Sequence, residues 1–221
     1  MEKMEKIDKK NQAKRGWAVE AVELDGEKVE QVAHLRLFNP RFGVLEYGLT
    51  PQGYDTWSFH ENGGGGSVIV PYAKIGDQIF IGVIEQFRQN QGARKVLNAP
   101  RGFLAAGENH FGTAVNELEQ ETGVRTVELS LLEGSPLNPN SAFFVTEEGE
   151  GARFYSLEVK EGELIFNEEN NAYVFNPGAL KPISKSGELI FGCRFIPWKA
   201  AVGLGDMFTV AIVARLLAAL D

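Results

Sequence analysis

The chain has 221 residues, 43% of them hydrophobic and 24% charged, enough to bury a sizeable core and too apolar for an intrinsically disordered chain. A formal net charge of −8 argues against a nucleic acid polymer as partner, which needs basic surface against phosphate, yet leaves room for a small phosphorylated ligand. One cysteine, Cys193, cannot close an internal disulfide and suits a reducing cytoplasm, and with no apolar run of roughly 18–20 residues neither a membrane span nor a secretion signal is expected.

In chain order, residues 1–16 mix Lys9, Lys10, Lys14 and Arg15 with Glu2, Glu5 and Asp8, and read as a solvated tail. Short strand-like runs follow at 34–38, 42–49 and 55–60, parted by turn residues at Asn39-Pro40 and Pro51-Gln-Gly53. Residues 1–62 are therefore expected to form a charged tail and a small β-rich piece. Gly63 to Gly66 lack the Lys-Ser/Thr of a phosphate-binding loop and lead into Val68-Ile69-Val70, so they read as a hinge opening a second domain over 63–221. There, strands are expected at 67–72 and 78–88, then a helix between Asn109 and Gly123. Further strands follow at 127–132, 142–145, 153–159 and 189–197. A last helix from about 208 to 220, capped by Asp206, presents Val210, Val213, Ala214 and Leu217 on one side. Mixed strands with one helix midway and one at the end indicate an α/β fold whose sheet is covered on both faces.

The segment Gly102-Phe-Leu-Ala-Ala-Gly-Glu108 followed by Asn116-Glu-Leu-Glu-Gln-Glu121-Thr-Gly123-Val124 carries the chemistry. Asn109 suits a helix N-cap and Gly123 the left-handed position beyond its end. Ala114, Val115, Leu118 and Thr122 then form the inward stripe, with Glu117, Gln120 and Glu121 on a neighbouring face. Glu117 and Glu121 stand four residues apart and project together, so they can approach one hard cation such as Mg²⁺, which takes oxygen ligands and arrives with phosphates. Glu119 points about 200° away from Glu117 and cannot join them. Gly102 and Gly107 let the preceding loop bend tightly. The plain alternative is an amphipathic helix with a solvated acidic face. His110 reads as a helix-start residue, while His34 and His60 lack metal-ligand spacing.

This segment resembles the Nudix box, with Gly102, Glu108, Glu117, Leu118, Glu121, Gly123 and Val124 on their expected places. Gly82-Val-Ile-Glu-Gln-Phe-Arg88 and Gly205-Asp-Met-Phe-Thr209 look like flanking segments of the ADP-ribose pyrophosphatase branch, so the likeness covers roughly residues 60–221. The resemblance implies an α/β/α sandwich with a mixed sheet. It implies hydrolysis of a pyrophosphate linking a nucleoside to another group, as in ADP-ribose or a nucleotide sugar, with Mg²⁺ or Mn²⁺. It also implies a homodimer to which the N-terminal β-rich piece contributes.

Two positions depart from the box. Asn116 replaces an arginine and Gln120 replaces a glutamate, which removes charge from the site and leaves a nucleotide-binding module without turnover as the alternative. The implied metal ligands are Glu117, Glu121, the Gln120 amide and the Arg101 carbonyl, with Glu108 bracing the loop. The proton acceptor is Glu117 or a downstream acid, Glu148 foremost in Thr146-Glu-Glu-Gly-Glu-Gly151, a run that is otherwise a soluble turn. Arg88 and Arg101 are the candidates to hold substrate phosphate. Phe38, Tyr47 and Trp57 are candidates to stack a base, against the ordinary alternative of core aromatics.

Overall fold

A computed structural model of the chain describes residues 18–24, 32–40, 43–49, 55–61, 65–88, 94–104, 107–138, 151–179 and 190–221. Contacts divide these into two compact units, one holding the N-terminal strands and the other most of the remaining chain.

The first unit is a four-stranded antiparallel sheet of β1 (Ala18–Leu24), β2 (Val32–Asn39), β3 (Gly43–Leu49) and β4 (Asp55–Glu61), in that order. Leu35 lies opposite Tyr47, Leu37 opposite Leu45, Leu45 opposite Phe59 and Tyr47 opposite Trp57. Directly opposed residues share a face, so these six apolar side chains line one side of the sheet. The Tyr47 and Trp57 rings pack with centroids 4.8 Å apart. The expected strands at 34–38, 42–49 and 55–60 correspond to β2, β3 and β4, whereas β1 was not expected. The turn at 51–53 lies outside the described residues.

The second unit comprises β5 (Gly65–Ile75), β6 (Gln78–Arg88), β7 (Arg94–Asn98), β8 (Arg101–Phe103), α1 (His110–Thr122), β9 (Ser130–Leu131), β10 (Gly151–Glu158), β11 (Leu164–Asn167), β12 (Ala172–Phe175), β13 (Ile190–Pro197), α2 (Trp198–Val202) and α3 (Met207–Leu220). The sheet runs β11-β12-β13-β6-β5-β10-β9. Gly65 abuts Gly151 at the start of β5 and β10, and Val159 N–H donates to the Tyr72 carbonyl at their end, so this central pair is parallel and the sheet is mixed.

β5 is buried through nine successive residues, which is why it reads as a near-continuous apolar run. Val68, Val70 and Tyr72 pack with Ile81 and Val83 against Ile212, Val213 and Leu216 of α3. Ile69 and Ala73 turn the other way, onto Ala114 and Leu118 of α1 with Phe195. The result is the expected helix–sheet–helix sandwich.

β5 pairs with β6 only from Tyr72 to Ile75. Beyond that the two part, Gly66 to Val68 pairing with β8 and Ile84 to Arg88 with β7. The corner Ala99-Pro100 fills the wedge, held by Ile69 N–H to the Pro100 carbonyl at 2.8 Å and by Ala99 N–H to Thr209 Oγ1 at 2.9 Å. This wedge aims the loop after Arg101 at α1.

Three expectations change, and a fourth lies outside the described residues. Gly65 and Gly66 belong to β5 rather than to a hinge, and a Cβ on Gly66 would strike the Gly102 carbonyl; residues 63–64 lie outside the described residues. The strand expected at 127–132 shrinks to Ser130–Leu131, because Thr126 Oγ1 accepts from Glu128 N–H and turns the chain there. The strand expected at 142–145 falls outside the described residues. A short extra helix, α2, precedes α3. Among the described residues no helix is long and apolar enough to cross a membrane.

Candidate active site

Helix α1 is fixed at both ends. Asn109 Oδ1 accepts from Gly112 N–H at 2.8 Å, and Gly123, at φ 78°, returns its N–H to the Glu119 carbonyl at 3.0 Å. Ser67 Oγ donates to the His110 carbonyl at 2.6 Å, and His110 Nδ1 lies 2.8 Å from the Gly66 carbonyl, which assigns that nitrogen the proton. The helix start is thereby tied to the strand beneath it. Glu108 Oε2 accepts from Thr113 Oγ1 at 3.2 Å, bracing the loop against the helix.

The buried side of α1 holds Thr113, Ala114, Leu118, Glu121 and Thr122. Glu121 therefore lies within the stripe that the sequence reserves for apolar side chains, while Val115 is only half-buried. The cause is the wedge: Arg101 N–H donates to Glu121 Oε2 at 2.8 Å, giving a carboxylate that is 2% exposed a charge-stabilising donor. Glu117, one turn earlier, rests its carboxylate on Gly102, where any Cβ would overlap it. The two acids thus reach adjacent residues, Arg101 and Gly102.

Other candidates are placed as follows. The Arg101 guanidinium turns to Asp206, with Nη1 2.8 and 2.9 Å from its two oxygens, and lies over the Phe208 ring at 4.9 Å. Asp206 Oδ2 also accepts from Thr209 N–H and Thr209 Oγ1, capping α3. Burial opposes the charge of Asp206, but Arg101 and these two donors outweigh it and hold the carboxyl below its usual range. Arg101 therefore anchors the loop with its side chain and offers its backbone to the site.

Arg88 Nη2 reaches Asn98 Oδ1 at 3.5 Å. Asn98 and Cys193 both lie opposite Ile84, and Cys193 packs with the α1 layer, so strand alternation puts Ile84, Gln86 and Arg88 on the α1 face. Gln120 is half-buried and Asn116 exposed. Glu147, Glu148 and Glu150 lie outside the described residues. Phe38, Tyr47 and Trp57 belong to the N-terminal sheet, where Phe38 and Tyr47 are half-buried and Trp57 exposed.

Two features escape sequence reasoning. Asp206 reads there only as a cap, yet it also holds Arg101. Cys193 lies close enough to Glu121 for burial and that negative charge to push its thiol far up. Neither proximity has a local sequence signal.

The ligands expected from the sequence, two carboxylates, the Gln120 amide and the Arg101 carbonyl, are oxygen donors of the kind a hard cation takes. Among the described residues no three His, Cys, Asp or Glu side chains gather closely enough to hold a metal.

No family model matches the chain, and no curated protein matches it in sequence. Solved structures do resemble it. The Ap4A hydrolase of C. elegans covers 71% of this chain and 98% of its own at 13% identity and TM-score 0.46. An ADP compounds hydrolase covers 93% and 95% at 11% and 0.45. The NUDIX domain of Shewanella oneidensis NrtR, complexed with ADP ribose, covers 78% and 94% at 11% and 0.48. Identities this low and superpositions this loose transfer no activity.

Proposed function

We propose that the chain is a divalent-metal-dependent hydrolase of the pyrophosphate bond in a nucleoside diphosphate joined to another moiety. ADP-ribose and nucleotide sugars are the leading substrates, and the products are a nucleoside monophosphate and a phosphorylated moiety. One observation carries this reading: two carboxylates one turn apart on α1 reach successive residues of the loop, Glu121 the Arg101 N–H and Glu117 Gly102. Glu117, Glu121, the Gln120 amide and the Arg101 carbonyl would hold Mg²⁺ or Mn²⁺, which supplies charge neutralisation at phosphate oxygens and a more acidic water.

The chain's own groups divide the remaining work. Glu121, already bound to Arg101 N–H, fixes the loop. Glu117, half-buried and lying against Gly102, is the group we assign to take a proton from attacking water, with Glu148 as the other candidate. Arg88 supplies positive charge on the same face for a phosphate oxygen. The apolar face of the N-terminal sheet supports a homodimer.

The test is release of nucleoside monophosphate from a panel of nucleotide sugars and ADP-ribose in Mg²⁺ or Mn²⁺. Turnover that disappears with chelator and with Glu117→Gln supports the assignment; no turnover on any compound overturns it. Gln120 and Asn116 favour a second reading, nucleotide binding without turnover. It predicts saturable binding by calorimetry in an inactive wild type, with hydrolysis emerging in the Gln120→Glu, Asn116→Arg double variant.

A further inference from the structure

Near the C-terminal end of α1 the sheet is interrupted. β12 meets β13 only at Tyr173–Phe195 and Val174–Arg194, and the pairing of β13 with β6 breaks between Ile190 and Cys193, where Gly192 takes φ 126°. The chain bulges at Phe191-Gly192 and leaves a cleft of about 270 Å³ between the bulge and the turn after β11, lined by Glu85, Asn167, Asn170, Phe191 and Arg194. Thr122 and Cys193 form its wall on the α1 side, next to Glu121 in sequence and charge respectively.

The polar groups of this cleft are incompletely matched. Arg194 Nη2 stands 3.5 Å from Glu85 Oε1, and Lys95 Nζ stands 3.8 Å from Glu85 Oε2 and 3.7 Å over the Phe191 ring. Two cations thus share one carboxylate at distances looser than the ~2.7–2.9 Å of a charge-assisted hydrogen bond. Arg194 Nε is buried and makes no hydrogen bond, a costly state for a charged donor unless a ligand completes it. Within the cleft lining Arg194 and Glu85 balance in charge, and Lys95 stands outside it, so the unmatched Arg194 Nε is what the cleft offers an anion. Asn167 Oδ1 holds the turn by accepting Asn170 N–H at 3.2 Å, which leaves the Asn170 side-chain amide and the Asn167 NH₂ for hydroxyl groups. The volume lies below the ~300–1,000 Å³ of pockets for drug-sized ligands, so it suits one phosphorylated sugar and not a whole dinucleotide.

We infer that this cleft binds a sugar phosphate, with its phosphate on Arg194 and its hydroxyls on Asn167 and Asn170. The ligand's origin rests on the hydrolase reading, in which a sugar phosphate is the second product; its recognition rests on the cleft alone.

Binding is therefore measured in EDTA, where no turnover can occur, by titrating the full chain with ribose 5-phosphate, inorganic phosphate and ribose. Saturable binding of ribose 5-phosphate is expected, with inorganic phosphate about tenfold weaker and ribose weaker still. Arg194→Lys, which keeps the charge but loses Nε, is expected to weaken the sugar phosphate about tenfold. Asn170→Ala, in an exposed turn that does not threaten the fold, should weaken it about threefold. Absence of saturable binding, undiminished affinity in both variants, or equal affinity for inorganic phosphate overturns the inference. Binding that persists in a chain without turnover in Mg²⁺ would sink the hydrolase reading and leave the cleft assignment standing.

Discussion

Glu121 is an acid buried at 2% exposure whose Oε2 has a backbone N–H at 2.8 Å. Glu121→Gln keeps an oxygen for that bond and removes only the charge, so the fold should persist while metal-dependent activity falls. Glu117→Gln should cost about 10²-fold or more in kcat if Glu117 accepts the proton. Circular dichroism melts beside steady-state rates separate the two effects; a melting temperature that collapses in step with the rate would make these acids structural. Gly102→Ala adds a methyl where the Glu117 carboxylate lies. Overpacking of this kind costs about 1–3 kcal/mol, and the displaced carboxylate should take activity with it. Normal kcat in Gly102→Ala would show that the contact is dispensable. The four-residue spacing of the two acids was legible in sequence because helix periodicity dictates it. The reason for Gly102 was not: it reads as a bending residue, while its neighbour is a side chain from the next element. Arg101 points its guanidinium at Asp206, 105 residues away, and no local pattern carries that distance.

At the scale of elements, the wedge of β7 and β8 is fastened to both covering helices, through Glu121 on α1 and through Thr209 and Asp206 on α3. Asp206→Asn should therefore loosen the α3 start and the Arg101 loop together, by roughly 1–3 kcal/mol for a lost, partly buried charge-assisted bond. The sign of the pH dependence follows from the lowered carboxyl. Its contribution is full above the unfolded value of about 3.9 and fades as pH falls below that toward the folded value. Urea titrations of wild type and variant should differ at pH 7 and converge in acid; a gap that widens in acid would contradict the assignment. The long strands and both long helices were legible, since β5 is an apolar run and α1 and α3 carry caps. β1 was missed because its bulges at Val19/Ala21 and Glu23/Leu24 turn a two-residue alternation into Ala-Val-Glu-Ala-Val-Glu-Leu, which repeats every three. β7, β8, β11 and β12 have five, three, four and four residues. Runs so short are defined by the strands they pair with rather than by their own periodicity.

For the whole molecule, the N-terminal sheet has an apolar side made of Leu35, Leu37, Leu45, Tyr47, Trp57 and Phe59. The opposite side carries Arg36, Glu46, Ser58 and His60 together with Phe38 and Val44, so it is the more polar of the two. None of the six apolar side chains is fully buried, and Trp57 is 38% exposed. An apolar side that is not fully covered suits an interaction surface, and Tyr47 with Trp57 on the edge strand β4 supplies the residue types that dominate interface energetics. A second copy of the chain is the occupant we predict. The wild type should sediment at twice the chain's mass at micromolar concentration. Trp57→Glu places a charge within the apolar side and should weaken association by at least about 2 kcal/mol, roughly 30-fold in the dissociation constant. The second unit has its own core, so its thermal transition should survive the change. A monomeric wild type, or a dimer indifferent to Trp57→Glu, would remove this sheet from the interface.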